Sequence, residues 1–178
     1  MRVGNAFFFS NYIIGLFEHR LSPMTVDASG VKVYGNLPSA EIVNTSAYAE
    51  WNITQWLCVD GRLAYAIGKD NEGDNLPFIS PLNYTVALHV ARHSWAAYMG
   101  VQGHSRQSHF GAKYGETGTP AFAIVNASVS RTFKRQGADL TLRLGVENLL
   151  DKYYTTFSDW NKIPQKGRNI YANIDVSL

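Results

Sequence analysis

From Leu140 the chain reads Leu-Thr-Leu-Arg-Leu-Gly-Val-Glu, and from Asn169 it reads Asn-Ile-Tyr-Ala-Asn-Ile-Asp-Val-Ser-Leu. Apolar and polar residues alternate in both. A period of two places every second side chain on one face of a β-strand. The alternation recurs upstream, where Leu57, Val59, Leu63, Tyr65 and Ile67 share one parity and Leu82, Tyr84, Val86, Leu88 and Val90 share another. Eight strands are predicted, at about Val3–Phe17, Val31–Ile53 (interrupted at 35–38), Trp56–Gly68, Ser80–Ala91, Ser94–His104, Pro120–Phe133, Leu140–Glu147 and Gly167–Leu178.

The connections alternate in length. Short turns fall at 54–55, 92–93 and 134–138, and long polar loops at 18–30, 69–79, 105–119 and 151–167. Outer-membrane barrels show this asymmetry between their two ends. The charges choose a face as well: Glu50, Asp60, Arg62, Arg143, Glu147 and Asp175 all oppose the apolar parity of their strands. A Lys or Arg facing lipid at mid-depth costs about 2–4 kcal/mol, so lipid on one side and water on the other explains the segregation. A soluble sandwich would show the same parity with its apolar face turned inward. Trp51, Trp56, Trp95 and Phe133 lie beside the short turns, where an interfacial aromatic girdle belongs, and this favours a membrane. The predicted fold class is all-β, an antiparallel transmembrane β-barrel segment of about eight up-and-down strands forming a partial, open barrel wall.

Two late segments, Gly145-Val146-Glu147-Asn148-Leu149-Leu150-Asp151-Lys152-Tyr153-Tyr154 and Asp159-Trp160-Asn161-Lys162-Ile163-Pro164-Gln165-Lys166-Gly167-Arg168-Asn169, resemble the C-terminal part of TonB-dependent outer-membrane receptors. Family members carry a similar Asn-Leu-hydrophobic-Asp-Lys-Tyr segment, a loop, and a Pro-x-x-Gly-Arg opening of the last strand. Tyr34-Gly35-Asn36 is similar to the opening of an earlier family strand, although Asn44-Thr45-Ser46 follows where Gly-x-Glu is usual. The resemblance implies that residues 1–178 are the C-terminal portion of a barrel of about 22 strands, with the plug domain absent and the chain begun at an internal Met. It implies a location in the cell outer membrane of a Gram-negative bacterium, with outer-membrane lipid and the barrel assembly machinery as partners. TonB would act only through the absent plug. The implied function is energy-dependent uptake of a scarce small-molecule ligand, a metal chelate or vitamin such as an iron-siderophore or cobalamin. Ile170, Ala172, Ile174, Val176 and Leu178 would form the assembly strand, with Leu178 where the family usually ends in Phe.

Composition agrees with a barrel. Aromatics make up 13% and charged residues 17%, the latter below the usual quarter or so. A net charge of +2 without a basic cluster gives no reason to expect nucleic acid. One cysteine, Cys58, excludes an intramolecular disulfide and reads as a buried, inert thiol. No run approaches the roughly 20 apolar residues of a membrane helix. Ala6–Phe17, after Arg2, has the length of a signal-peptide core as well as of a strand.

Candidate chemistry is sparse, and neither an enzyme nor a cofactor is expected. No nucleophile elbow, phosphate loop or zinc motif appears, and the Asn-x-Ser/Thr triplets at Asn44, Asn52, Asn83 and Asn126 arise from alternation alone. Asp60 with Arg62, and Arg143 with Glu147, read as lumen ion pairs; His89 reads as a lumen polar group. His104 and His109, taken to share one external loop, and Trp160 in the last long loop are the ligand-contact candidates. No metal site is expected, since no third ligand lies at usable spacing. Two alternatives stand beside the receptor reading: a complete eight-stranded outer-membrane protein with a structural or adhesive role, and a soluble lipocalin-like ligand binder.

Overall fold

The computed structural model describes residues 2–12, 37–159 and 161–177. Eight strands run through them: β1 (Arg2–Tyr12), β2 (Ala40–Asn52), β3 (Leu57–Asp70), β4 (Asn83–Arg92), β5 (Trp95–His104), β6 (Phe122–Arg135), β7 (Ala138–Glu147) and β8 (Asn169–Ser177). Each pairs antiparallel with the next in one sheet ordered β1 to β8. The stretch that also reads as a signal-peptide core is, through Tyr12, part of β1, paired with β2 from Arg2↔Glu50 to Tyr12↔Ala40. Residues 13–36, with Tyr34-Gly35-Asn36, lie outside the described residues, as do Trp160 and Leu178.

The register carries the parity across the whole sheet. Leu57↔Val90, Val59↔Leu88 and Leu63↔Tyr84 fall on one face, and Cys58↔His89, Asp60↔Ala87 and Arg62↔Thr85 on the other. The apolar face is bare: Leu63, Leu144 and Ile174 are 50%, 60% and 70% exposed. Each strand contacts only its sequence neighbours, so among the described residues no second sheet covers that face as a sandwich would require. A closed eight-stranded barrel would pair β1 with β8, yet these are the two free edges. The sheet is open. The long loops fold instead over the polar face, where His104, Ile124 and Asp70 are buried, so a lipocalin-like apolar interior is not what the sheet encloses.

Among the described residues Glu41, Lys69, Arg92, Arg131 and Arg135 fall on the apolar face, all toward strand ends. Arg131 pairs with Trp95 and Leu142 and lies on the apolar face. It sits near the short-turn end, its guanidinium 5.0 Å from the Trp95 ring centroid and 4.8 Å from that of Phe133. Ring faces attract a cation, and near a strand end its head can reach water, so the cost expected for a charge at mid-strand does not apply.

Tyrosines packed over glycines fix the strand register. Tyr84 on β4 faces Gly103 on β5, and its hydroxyl donates to the Phe122 carbonyl on β6 at 3.2 Å. A Cβ on Gly103 would lie 2.8 Å from that hydroxyl oxygen, so glycine leaves the notch the ring crosses. On the other face Tyr171 of β8 covers Gly145 of β7 in the same way.

Candidate ligand recess at the long-loop end

The loop joining β7 to β8 is closed by the residues that carry the family resemblance. Asn148 has a left-handed φ of 49°, which asparagine tolerates better than most residues. It is 2% exposed, and its side-chain amide is fully engaged. Nδ2 donates to the carbonyls of Lys152 (2.9 Å) and Lys166 (3.2 Å), while Oδ1 accepts from the Lys152 N–H (2.8 Å). Asp151 then accepts from the Arg168 N–H at 2.7 Å, and the Arg168 Nε donates to the Leu149 carbonyl at 2.9 Å. A Cβ on Gly167 would stand 2.7 Å from the Asp151 carboxylate. The Asn-Leu-Leu-Asp-Lys and Gly-Arg segments therefore form two halves of one clasp.

The β3–β4 and β5–β6 loops interlock beside it. Asp70 ends β3, a strand of 14 residues, longer than the roughly 9–11 that a bilayer crossing would need, so its carboxylate would stand beyond such a crossing. Burial alone would raise its pKa. The Tyr114 hydroxyl, the N–H groups of Asp74 and Glu72, and Lys113 outweigh burial and hold it down at about 2. Lys113 lies within 3.2 Å of Asp70, 2.6 Å of Glu72 and 3.0 Å of Asp74. The Glu72 and then the Asp74 carboxylates push its pKa up, and burial, then the bond to Asp70, pushes the Tyr114 phenol up. Deeper still, Glu116 accepts from the N–H groups of Phe78 (3.1 Å) and Gly111 (2.6 Å) and from the Gln107 amide (3.1 Å). Lys162 joins the third loop by donating to Thr119 Oγ1 at 2.5 Å.

This framework holds open a recess of about 830 Å³ lined by Arg106, Gln107, Phe110 and Thr119. Arg106 is exposed and forms no ion pair with a described residue. Gln107 Oε1 is buried without a hydrogen-bond partner. A cation and a half-buried ring are groups that would hold a small anion with some apolar surface, while the unused acceptor calls for a hydrogen-bond donor. His109 lines a smaller cleft that shares Arg106 and Gln107. His104 is elsewhere. It is the last residue of β5 rather than a loop residue, 3% exposed, with its ring edge-on to Phe122 at 4.4 Å. Its Nδ1–H donates to the Ser105 carbonyl at 2.8 Å, leaving Nε2 buried and unpartnered. The two histidines thus do not form one exposed pair, and no cluster of His, Cys, Asp or Glu among the described residues is placed to hold a metal ion. Nothing in the sequence singled out Arg106, Gln107 or Phe110: their loop has no periodicity to read.

The expected strand ion pairs change partners. Asp60 meets His89 at 2.6 Å, its diagonal neighbour across the β3–β4 ladder, rather than Arg62. Glu147 meets Lys166 at 3.5 Å and the Asn169 amide at 3.1 Å, rather than Arg143. Cys58, on the same polar face, is half-buried rather than buried.

No protein-family model and no curated protein matches the sequence. Among solved structures the chain is similar to the copper transporter OprC, with a TM-score of 0.75 and 21% identity over 85% of this chain and 26% of that one. It is also similar to the ferric citrate transporter FecA in its unliganded form, with a TM-score of 0.64 and 20% identity over 75% of this chain and 24% of that one. The chain thus spans about a quarter of the length of each. At such identities the likeness establishes the fold, a partial β-barrel wall, as the resemblance of its late segments to TonB-dependent receptors implies.

Proposed function

We propose that this chain forms wall and external loops of a TonB-dependent receptor in the outer membrane of a Gram-negative bacterium, and that the receptor takes up a small anionic metal chelate. The observation that carries this is the two-sided sheet: a bare apolar face for lipid and a polar face capped by interlocked loops around the recess at Arg106. Its similarity to a copper transporter and a ferric citrate transporter supports metal-linked cargo. Arg106 supplies the cation, Phe110 the apolar contact, and His109 a further donor at the rim; the metal travels as part of the ligand. The remaining strands and the plug through which TonB acts come from protein outside these residues, and β8 is the strand offered to the assembly machinery. The test is uptake of radiolabelled ferric citrate by cells whose outer membrane carries the natural full-length protein, with and without a protonophore. Energy-dependent uptake that falls about tenfold in Arg106→Glu, one unfavourable charge contact, is expected. Uptake indifferent to both treatments would remove the proposal.

A further inference from the structure

The polar face and its loops account for most of the buried polar groups, but not for the arginines on the opposite face. The register aligns Arg92, Trp95 and Arg131 in one rung across β4, β5 and β6, all on the apolar face. Strands lie about 4.8 Å apart, so two guanidinium-bearing positions flank a single indole. Arg135 follows on the same face where β6 ends. All three arginines are exposed, and none makes an ion pair with a described residue. On this face of β2 to β8 the register places one acidic residue, Glu41, at the opposite, long-loop end. The next rung inward, Val90, Ala97, Val129 and Leu144, is wholly apolar and dips at Ala97.

We propose that this rung is a binding site for the phosphodiester of an anionic glycerophospholipid. This rests on the reading that the face meets lipid. A guanidinium offers a planar fork matched to two phosphate oxygens, and Arg131 is held in place by the Trp95 and Phe133 rings. Trp95 sits where indoles prefer the headgroup level. The dip at Ala97, between Val90 and Val129, receives the first part of an acyl chain, which a free phosphate does not have. Three cations with no carboxylate at their end of the face favour a headgroup with net negative charge.

The experiment uses the natural full-length protein in vesicles containing brominated phosphatidylglycerol or brominated phosphatidylcholine at equal mole fraction. Quenching assigned to Trp95 is read by difference from Trp95→Phe. Stronger quenching by the brominated phosphatidylglycerol is expected. Its preference should fall about five-fold for each arginine removed, in Arg92→Gln and again in Arg92→Gln/Arg131→Gln. Arg92 is exposed with no described partner, so its single variant keeps the test informative if the double variant inserts poorly. Equal quenching by the two lipids, or a preference unchanged in Arg92→Gln, overturns the lipid site while leaving the membrane reading intact. Loss of the preference on adding inorganic phosphate reassigns the site to a soluble anion and overturns it too. No quenching of Trp95 by either lipid means the face is not in a membrane, and both readings fall.

Discussion

Replacing Asn148 by alanine tests whether the C-terminal resemblance reflects a physical clasp. The substitution removes three side-chain hydrogen bonds, to Lys152 twice and to Lys166 once. It also leaves a Cβ residue at φ 49° without the local bonding that favours asparagine there. At about 1 kcal/mol for each bond and about 1 kcal/mol for the left-handed backbone, the gross loss is roughly 4 kcal/mol. Lys152 and Lys166 are exposed, so water recovers part of it, leaving roughly 2–3 kcal/mol against closure of the loop. Asn148→Gly loses the same bonds without the backbone strain and should be milder by about 1 kcal/mol. Hydrogen exchange at the amides of Lys152 and Arg168 reads the opening directly. It should accelerate by roughly 30- to 150-fold in the alanine variant of the membrane-embedded full-length protein. Less than about threefold acceleration at these amides, or a glycine variant opening more readily than the alanine one, would refute the clasp.

Leu142 on the apolar face and Thr141 on the polar face are adjacent, so arginine at each separates the two environments. Leu142→Arg should cost about 2–4 kcal/mol in lipid, and Thr141→Arg about 1 kcal/mol for its 2.9 Å bond to Thr132. The protease-resistant barrel fraction in outer membranes should follow that order, and a reversed order would show the faces exchanged. The Asp70 knot predicts an acid transition. Its folded pKa of about 2 lies below the ordinary 3.8, so its contribution, roughly 2 kcal/mol, is complete above the ordinary value and lost as pH falls through about 2. Proteolysis of the β5–β6 loop by an acid-active protease should rise over that interval in the parent and lose this step in Asp70→Asn; an unchanged profile would count against the knot.

The strands were legible because period two is a local signal that survives in any register: Leu140 to Glu147 reads the same before and after folding. Arg131 was not legible as an exception, since its acceptable position depends on Trp95, a partner on another strand. The loop core was hidden for a similar reason. Glu116 and Phe78 are bonded across 38 residues, and Tyr114 and Asp70 across 44, so polar residues that looked solvated are buried by partners no local window contains. His104 ended the fifth predicted strand and was also counted with the polar loop after it; its register with Phe122 places it in the sheet. Asn148 lay in a recognisable segment, but its role needed the Lys166 carbonyl 18 residues away.

The two tyrosine notches bear on how the sheet finds its alignment. Sliding one strand past its neighbour by two residues keeps every apolar side chain on the apolar face, so hydrophobicity cannot reject that error. The notches can. A two-residue slide would set Tyr84 against Val101 or Ser105 instead of Gly103, and Tyr171 against Arg143 or Glu147 instead of Gly145. Each ring would lose its seat, and the Tyr84 hydroxyl its carbonyl on β6. Misaligned hairpins are thereby left less stable than the aligned one at the moment of pairing. The glycines act as vernier marks, resolving the alignments that alternation alone leaves degenerate.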